Sequence, residues 1–441
     1  MLRQFHPRST LASSSMPPQQ RELITGKLES LITPMTSDGG SSHPPVDILV
    51  AGSLAVDFSC DYTPSRKSVG HAPQLYTSNP AAITQTIGGV GYNIALAAQQ
   101  MGASVRLCSI VADDLCGRAA LAMMDERGMH TSGIKILAKD VDARTAQYIA
   151  VNDAKKDLML AMADMRILEI SADVFAGSFK PQLQSCKPKW LVVDANWEHN
   201  TLKKWIVAAK ASDVGVALEP VSAAKAARIF TRTPDLEDAL RAVPEHTIDI
   251  ATPNIVELAA MYTAAREADL FERPDWWHII DSMGMSPTGS RQKLVAATNN
   301  KLVDQGVPQQ SIQLLPFIPW ILTKLGAQGV LMTQLLRPGD EQLTSPASAP
   351  HILSRSYGGN GIVGGVYMRL FPPAEIVSDE EIVSVNGVGD TFLGIIVAGL
   401  ATGKDDTAKL VKIAQRGSIM TLRSKEAVSP DLAMLRPNIG I

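Results

Sequence analysis

The sequence predicts an α/β fold in which a mostly parallel central sheet is covered by helices on both faces. Three observations carry that expectation. Short apolar runs of strand length recur along the chain, as in Ile48-Leu49-Val50-Ala51. Alanine-rich helical patterns lie between several of them, as in Ile94-Ala95-Leu96-Ala97-Ala98. Polar residues follow the runs directly, where an open parallel sheet binds its ligands: Asp57, Asp113-Asp114, Asp194-Ala195-Asn196, Glu219, Asn254 and Glu257.

Taken in order, the 441 residues divide near residue 46. Residues 1–45 are rich in Ser, Pro, Gln and Thr, with no acid before Glu22. They read as a disordered leader or linker closed by Gly39-Gly40-Ser41-Ser42-His43-Pro44-Pro45, and the same bias suits a mitochondrial transit peptide. One folded domain is expected over 46–441. Strands are expected at Asp47 to Gly52, Val105 to Val111, Trp190 to Val193, Val214 to Leu218, Ile248 to Ala251 and Ile321 to Thr323. The helix from Ile94 to Met101 is stopped by Gly102. Segments 58–86 and 134–166 break the alternation. The first is polar and irregular; the second holds the runs Ala146 to Val151 and Leu158 to Met162, and together they should form a small β lid. Stretches 230–247, 265–318 and 335–380 read as surface insertions, with Trp276-Trp277-His278 as local packing.

Composition narrows the function classes. With 41 basic and 44 acidic side chains the formal net charge is −3, so no electrostatic feature calls for a nucleic acid partner. No apolar run is long enough for a membrane span. The cysteines Cys60, Cys108, Cys116 and Cys186 form no CxxC pair and read as reduced thiols of an intracellular, cytoplasmic protein. The histidines show no HxxxH spacing, which leaves a zinc site without support.

The sharpest chemical signal is Asn386-Gly387-Val388-Gly389-Asp390-Thr391, running into an apolar helix. Unsatisfied N–H groups at a helix start make an anion site, and glycine lets a phosphate approach the backbone. A carboxylate in that cradle, Asp390, can accept a proton from an attacking hydroxyl; alone it could equally cap the helix. A second glycine turn, Gly88-Gly89-Val90-Gly91-Tyr92-Asn93, opens the Ile94 helix. By itself it could serve a dinucleotide or be a tight turn. Asp57, after the first strand and Gly52, can accept two sugar hydroxyls, or be a solvated loop acid.

These motifs together resemble the PfkB/ribokinase-like family of sugar and nucleoside kinases, over roughly residues 46–435. The late GAGD segment corresponds to Gly387-Val388-Gly389-Asp390, with Val388 in the usual Ala position, and the early GGxxxN motif to Gly88, Gly89 and Asn93. Ala112-Asp113-Asp114-Leu115-Cys116-Gly117 matches the GxDxxG segment, Asn254-Ile255-Val256-Glu257 the NxxE motif, and Thr323-Lys324-Leu325-Gly326-Ala327-Gln328-Gly329 the nucleotide loop. The resemblance implies a ribokinase-like architecture and an ATP-dependent kinase. Asp57, Gly88, Gly89 and Asn93 would hold substrate hydroxyls. Asn254 and Glu257 would organise Mg²⁺ through water, and Thr323, Gly326 and Gly329 would line the ATP site. Gly387, Val388 and Gly389 would stabilise the transferred phosphoryl group, and Asp390 would take the proton. A small-molecule acceptor is the implied partner, and a monovalent cation and a homodimer stay open. Within the family, Ala163-Asp164-Met165, Glu219-Pro220-Val221-Ser222 with Lys225, and the tail through Thr421 to Pro430 resemble pseudouridine kinases, with Asp164 as a further substrate contact. In fungi such a kinase is often fused behind a pseudouridine-5′-phosphate glycosidase domain. A kinase for ribose, adenosine or another sugar is the nearest alternative. A nucleotide-binding regulator without turnover, and a dehydrogenase built on Gly88 to Gly91, are the alternatives of other classes.

Overall fold

The computed structural model describes residues 45–64, 72–138, 143–169, 174–232, 240–286, 288–356, 361–403 and 406–439. The leader expected over 1–45 lies outside these residues, Pro45 apart. The strands, in chain order, are β1 (Ile48–Ala51), β2 (Ala55–Tyr62), β3 (Ala81–Gly88), β4 (Val105–Ala112), β5 (Ile134–Leu137), β6 (Ala146–Asn152), β7 (Leu158–Asp164), β8 (Trp190–Asp194), β9 (Gly215–Glu219), β10 (Ile250–Ala251), β11 (Trp320–Lys324), β12 (Val330–Leu336), β13 (Ile352–Arg355) and β14 (Gly365–Phe371). Among the described residues ten of them make one sheet, in the order β13-β14-β12-β11-β10-β9-β8-β1-β4-β5. From β11 to β5 every neighbouring pair is parallel; β12, β13 and β14 extend the sheet in antiparallel fashion.

The continuous apolar runs follow from this layering. Ile48 and Val50 of β1 enter one core cluster, while Leu49 and Ala51 enter the other, on the opposite face. The helices that position the site are α1 (Val90–Gln100), α2 (Leu115–Glu126), α3 (Ile255–Glu267), α4 (Val388–Ala401) and α5 (Thr407–Leu422). Helices α1 and α4 share the cluster of Ile48 and Val50, and Leu258 of α3 belongs to the other.

The three stretches read as surface insertions instead contribute to the core where they are described. Within 265–318 the helices Pro274–Ser282, Asn300–Asp304 and Val307–Leu314 bury Ile279, Leu302, Val307 and Leu314 completely or nearly so. The helices are short and restart at left-handed glycines, Gly289 and Gly306, so no long period was visible in the sequence. The Trp276 indole N–H donates to the Gln313 carbonyl at 2.9 Å, the local packing expected of it. Within 335–380, β14 is an interior strand paired on both sides. In the described part of 230–247, Leu240, Ala242, His246 and Thr247 are buried.

A second sheet, β3-β2-β6-β7, forms the small β layer. Segment 58–86 thus contributes most of two regular strands where an irregular segment was expected. Segment 134–166 divides: β5 joins β4 in the large sheet, and β6 and β7 join the small one. Asp114 fastens the two sheets together. It caps α2 by accepting from the Gly117 N–H at 2.7 Å, and also accepts from the Thr145 N–H at 2.9 Å and the Thr145 hydroxyl at 2.7 Å, at the entrance to β6. A Cβ on Gly117 would lie 2.1 Å from the Ala112 carbonyl oxygen, so the Asp-to-Gly spacing there serves this junction.

Helices α1 and α4 run close together. A Cβ on Gly394 would lie 2.7 Å from Ala97 Cβ and 2.8 Å from the Ile94 carbonyl oxygen. Gly394→Val should therefore wedge the pair apart, lowering the unfolding free energy by about 1–3 kcal/mol. Urea denaturation checks this; an unchanged midpoint would mean the helices have slack.

Candidate active site

Helix α4 begins at Gly387, whose φ of 71° is the left-handed conformation that favours glycine. Its side chain is excluded by the chain itself: a Cβ would lie 1.8 Å from the Ala427 carbonyl oxygen. The steric demand at Gly387 thus comes from the C-terminal tail as well as from any phosphate. The first N–H groups of α4 have no intrahelical acceptor and carry the positive end of the helix dipole. Asp390 lies in this first turn and is buried. Helix α1 begins beside it at Gly89, with φ 98°, where a Cβ would meet the Ser53 carbonyl oxygen at 2.7 Å. The two starts meet where Asn93 Nδ2 donates to Asp390 Oδ2 at 2.8 Å.

The electrostatics of Asp390 suit a proton acceptor. Burial pushes its pKa up to about 7, and the carboxylates of Glu219 and Asp194 push in the same direction; the Asn93 amide and the Lys324 ammonium oppose them. A general base poised near neutrality is effective in proton transfer. Asp194 is itself fully buried, and burial raises its pKa. It accepts from the Ser53 N–H (2.7 Å), the Ser53 hydroxyl (3.0 Å) and the Asn196 N–H (3.0 Å). This network holds the β1-to-β2 turn against the start of α1, where Gly52 and Gly91 approach too closely for side chains.

Asp57, near the start of β2, stands over Gly88, so closely that a Cβ there would lie 2.1 Å from Asp57 Oδ2. Burial raises the Asp57 pKa to about 6, and no residue among those described bonds its carboxylate. Its acceptors are therefore available to hydroxyl groups. Asn254 and Glu257 form a capping box at the start of α3: Asn254 Oδ1 accepts from the Glu257 N–H at 2.9 Å and Glu257 Oε2 from the Asn254 N–H at 2.8 Å. Burial raises the Glu257 pKa, against the pull of Lys324.

Lys324 ends β11, and its N–H donates to the Pro253 carbonyl at 2.7 Å, which sets β11 beside the start of α3. Its ammonium lies 3.0 Å from both Glu219 oxygens. Gly326 (φ 59°) and Gly329 (φ 92°) shape the turn that follows. A Cβ on Gly329 would lie 2.0 Å from the Phe371 carbonyl oxygen, whereas Gly326 faces open space.

The structure thus assembles Asp57, Gly88, Gly89, Asn93 and Gly387 to Asp390, with Lys324 linking the last of these to the Asn254–Glu257 box. Two expected residues stand apart. Thr323 is completely buried in β11 with an unpartnered hydroxyl, and strand alternation puts it on the face opposite Lys324. Asp164 pairs with Arg166 (2.7 Å) and Arg144 (3.3 Å), which hold its pKa well below the usual carboxylate range. The register Asp57↔Tyr148↔Ala163 puts Asp164 on the other face of the small sheet from Asp57. The Lys324–Glu219 pair had no assigned role in the sequence reading, although Glu219 directly follows an apolar run.

The comparisons with known proteins bear on the family and the fold. The family model described as pfkB family carbohydrate kinase matches residues 47–277. The chain belongs to that family. A pseudouridine-metabolizing bifunctional protein of Schizosaccharomyces pombe is 26% identical over 98% of this chain, which spans 53% of that relative's length, about half. A pseudouridine kinase of Escherichia coli is 25% identical over 54% of this chain and 70% of its own. The fold is ribokinase-like: Arabidopsis thaliana ribokinase complexed with ribose and ATP superimposes with a TM-score of 0.57 at 13% identity, covering 90% of this chain and 99% of that one. Ribokinase from Cryptococcus neoformans in complex with ADP gives 0.54 at 17% identity, covering 87% and 96%. Among the described residues no helix is long and apolar enough to cross a membrane.

The raised Asp390 pKa fixes a sign for stability. Between pH 4 and 7 the unfolded chain has lost the proton that the folded chain keeps, so the protein loses stability as pH rises through about 7. Asp390→Asn should therefore melt several degrees higher than the parent at pH 8, with the gain fading toward pH 4. Thermal melts across that range check it; a variant less stable at pH 8 than at pH 5, relative to the parent, would contradict the buried, proton-holding carboxylate.

Proposed function

We propose that the chain transfers the γ-phosphoryl group of ATP to the 5′-hydroxyl of pseudouridine, giving pseudouridine 5′-phosphate and ADP. The observation that carries this reading is the contact of Asn93 with Asp390 at 2.8 Å. It supports the reading because it joins the glycine turn before Asn93 to a buried carboxylate at the start of another helix. Asp57, Gly88, Gly89 and Asn93 hold the ribose hydroxyls. The 5′-oxygen bonds to the γ-phosphorus as the bond from phosphorus to the β,γ-bridging oxygen breaks; ADP leaves with that electron pair and the hydroxyl proton passes to Asp390. The N–H groups of Gly387, Val388 and Gly389 stabilise the charge on the phosphoryl oxygens. The turn through Gly326 and Gly329 lines the nucleotide.

Asn254 and Glu257 fit Mg²⁺ as residues that hold its waters. The capping box uses one Glu257 oxygen; among the described residues Oε1 makes no hydrogen bond and Asn254 keeps its amide NH₂. Mg²⁺ is bound in this way by one or two carboxylates plus phosphate oxygens and water, and when bound it neutralises phosphate charge. Pseudouridine is favoured over other nucleosides by the two relatives named for it. The Glu219-to-Lys225 segment supports it too: the Lys225 ammonium bonds the Asn196 side-chain oxygen, and the Asn196 amide bonds the Ser53 hydroxyl at 3.0 Å. That places a cation at the rim formed by the ends of β8 and β9.

Assays of phosphoryl transfer from ATP to pseudouridine, uridine, adenosine and ribose test the reading. Pseudouridine should give the highest kcat/KM; a preference for ribose or adenosine would replace the substrate and keep the reaction. Asp390→Asn should retain ATP affinity and lose turnover about a hundredfold or more. In the parent enzyme log kcat/KM should rise with pH up to about 7, because the free enzyme's base must first lose its proton. A flat profile from pH 5 to 8 would remove Asp390 from that role.

A further inference from the structure

We propose that Lys324, held in place by Glu219, is a further catalytic residue whose ammonium contacts the non-bridging oxygens of the phosphoryl group during transfer. The inference deepens the kinase reading and rests on it. Lys324 Nζ lies 3.0 Å from each Glu219 carboxylate oxygen, and Glu219 Oε2 also accepts from the Thr252 hydroxyl at 2.6 Å. The Glu219 side chain is only 4% exposed and that of Lys324 18%. On its other side the ammonium covers the anion cradle: a Cβ built on Gly389 would stand 3.0 Å from Nζ. The first turn of α4 therefore presents its N–H groups and this ammonium to one place. The backbone around Glu219 is held to fit, for Val221, a β-branched residue two positions on, has φ 69°. Such a conformation in a β-branched residue is an outlier that concentrates at functional sites.

Stability does not account for this pair. A buried ion pair is often no better than apolar residues of the same volume. The charge balance gives the stronger reason. Glu219, Glu257 and Asp390 all act on Lys324, so the start of α4 carries more negative than positive side-chain charge before any phosphate arrives. A polyphosphate entering there needs a cation in contact with it. The ammonium supplies one that is fixed in advance, which is the arrangement that stabilises developing charge without reorganisation. Lys324 neither gains nor loses a proton in the step. Glu219 and Thr252 are positioning residues: they keep the ammonium from collapsing onto Asp390, whose carboxylate must stay free to accept the hydroxyl proton.

The test compares the full-length parent with Lys324→Met, Lys324→Arg and Glu219→Gln, using ATP and the acceptor the parent turns over best. Lys324→Met should lose kcat about a hundredfold or more, as for the loss of one preorganised donor, with a much smaller change in the KM for ATP. Lys324→Arg should recover part of that loss. The pH profiles supply a readout that a merely structural role would not move. Facing Asp390 are Glu219, Asp194, Lys324 and the Asn93 amide. Removing the lysine should shift the acid limb of kcat/KM to higher pH, and Glu219→Gln should shift it to lower pH. Lys324→Met with kcat within about threefold of the parent, or both acid limbs unmoved, overturns the proposal. Should Lys324→Met fail to fold, Lys324→Gln, which keeps a hydrogen-bond donor toward Glu219 without the charge, decides instead: a loss of kcat of more than about threefold supports the proposal and a smaller one sinks it. A parent without phosphoryl transfer to any acceptor would instead defeat the kinase reading itself.

Discussion

The hydrogen bond from Asn93 to Asp390 depends on two helices beginning side by side, and most of the architecture serves that placement. Asn93 lies in the first turn of α1 and Asp390 in the first turn of α4, 297 residues apart in sequence. Their helices meet because Gly394 and Ala97 leave no side-chain bulk between the axes. The start of α1 is fixed in turn by the Ser53–Asp194–Asn196 network and by the near contact of Gly52 with Gly91. A parallel sheet brings these turns to one edge because all its crossovers return to the same end.

That convergence has an electrostatic consequence. Every turn delivers an acid: Asp57 from β2, Asp194 from β8, Glu219 from β9, Glu257 from α3 and Asp390 from α4. In this poorly solvated space burial raises the pKa of Asp57, Asp194, Glu257 and Asp390, and the Glu219 carboxylate pushes Glu257 and Asp390 in the same direction. Asp57 is lifted to about 6 and Asp390 to about 7. The fold meets this pressure with amide and hydroxyl donors at Asp194, with a capping box at Glu257 and with the Lys324 ammonium at Glu219. Asp57 alone is left without a partner among the described residues, and it is the acid whose role requires accepting bonds from outside.

Much of this was legible in the sequence because it rests on short-range rules. The buried strands β1, β4, β8 and β9 announce themselves as apolar runs, and the glycines before Asn93 and Asp390 mark helix starts that bare N–H groups to a ligand. Less legible were features that depend on partners far along the chain. The helices of 265–318 are too short to show a period, and β14 becomes interior only because β13 covers it. Thr323 and Lys324 are adjacent in sequence, and only the pairing of β11 with β10 and β12 decides which of them faces the site. Asp164 reads as a substrate acid until its arginine partners and its face of the small sheet are known.

The tail shows how a distant segment can determine a catalytic turn. Gly387 is required because the Ala427 carbonyl occupies the space its side chain would need. That carbonyl is fixed by a short chain of bonds: the Ser429 N–H donates to the Thr421 hydroxyl at 3.1 Å, and the Thr421 and Thr391 hydroxyls share a hydrogen at 2.9 Å. Thr391 follows Asp390 directly, so the tail is bonded to the turn of helix that carries the base. The Ser418 hydroxyl, on α5, donates to the Val388 carbonyl at 3.1 Å and leaves the N–H side of that turn open. The N–H groups can then point at a phosphate while every bond that steadies them comes from behind, which is the condition for a preorganised anion cradle.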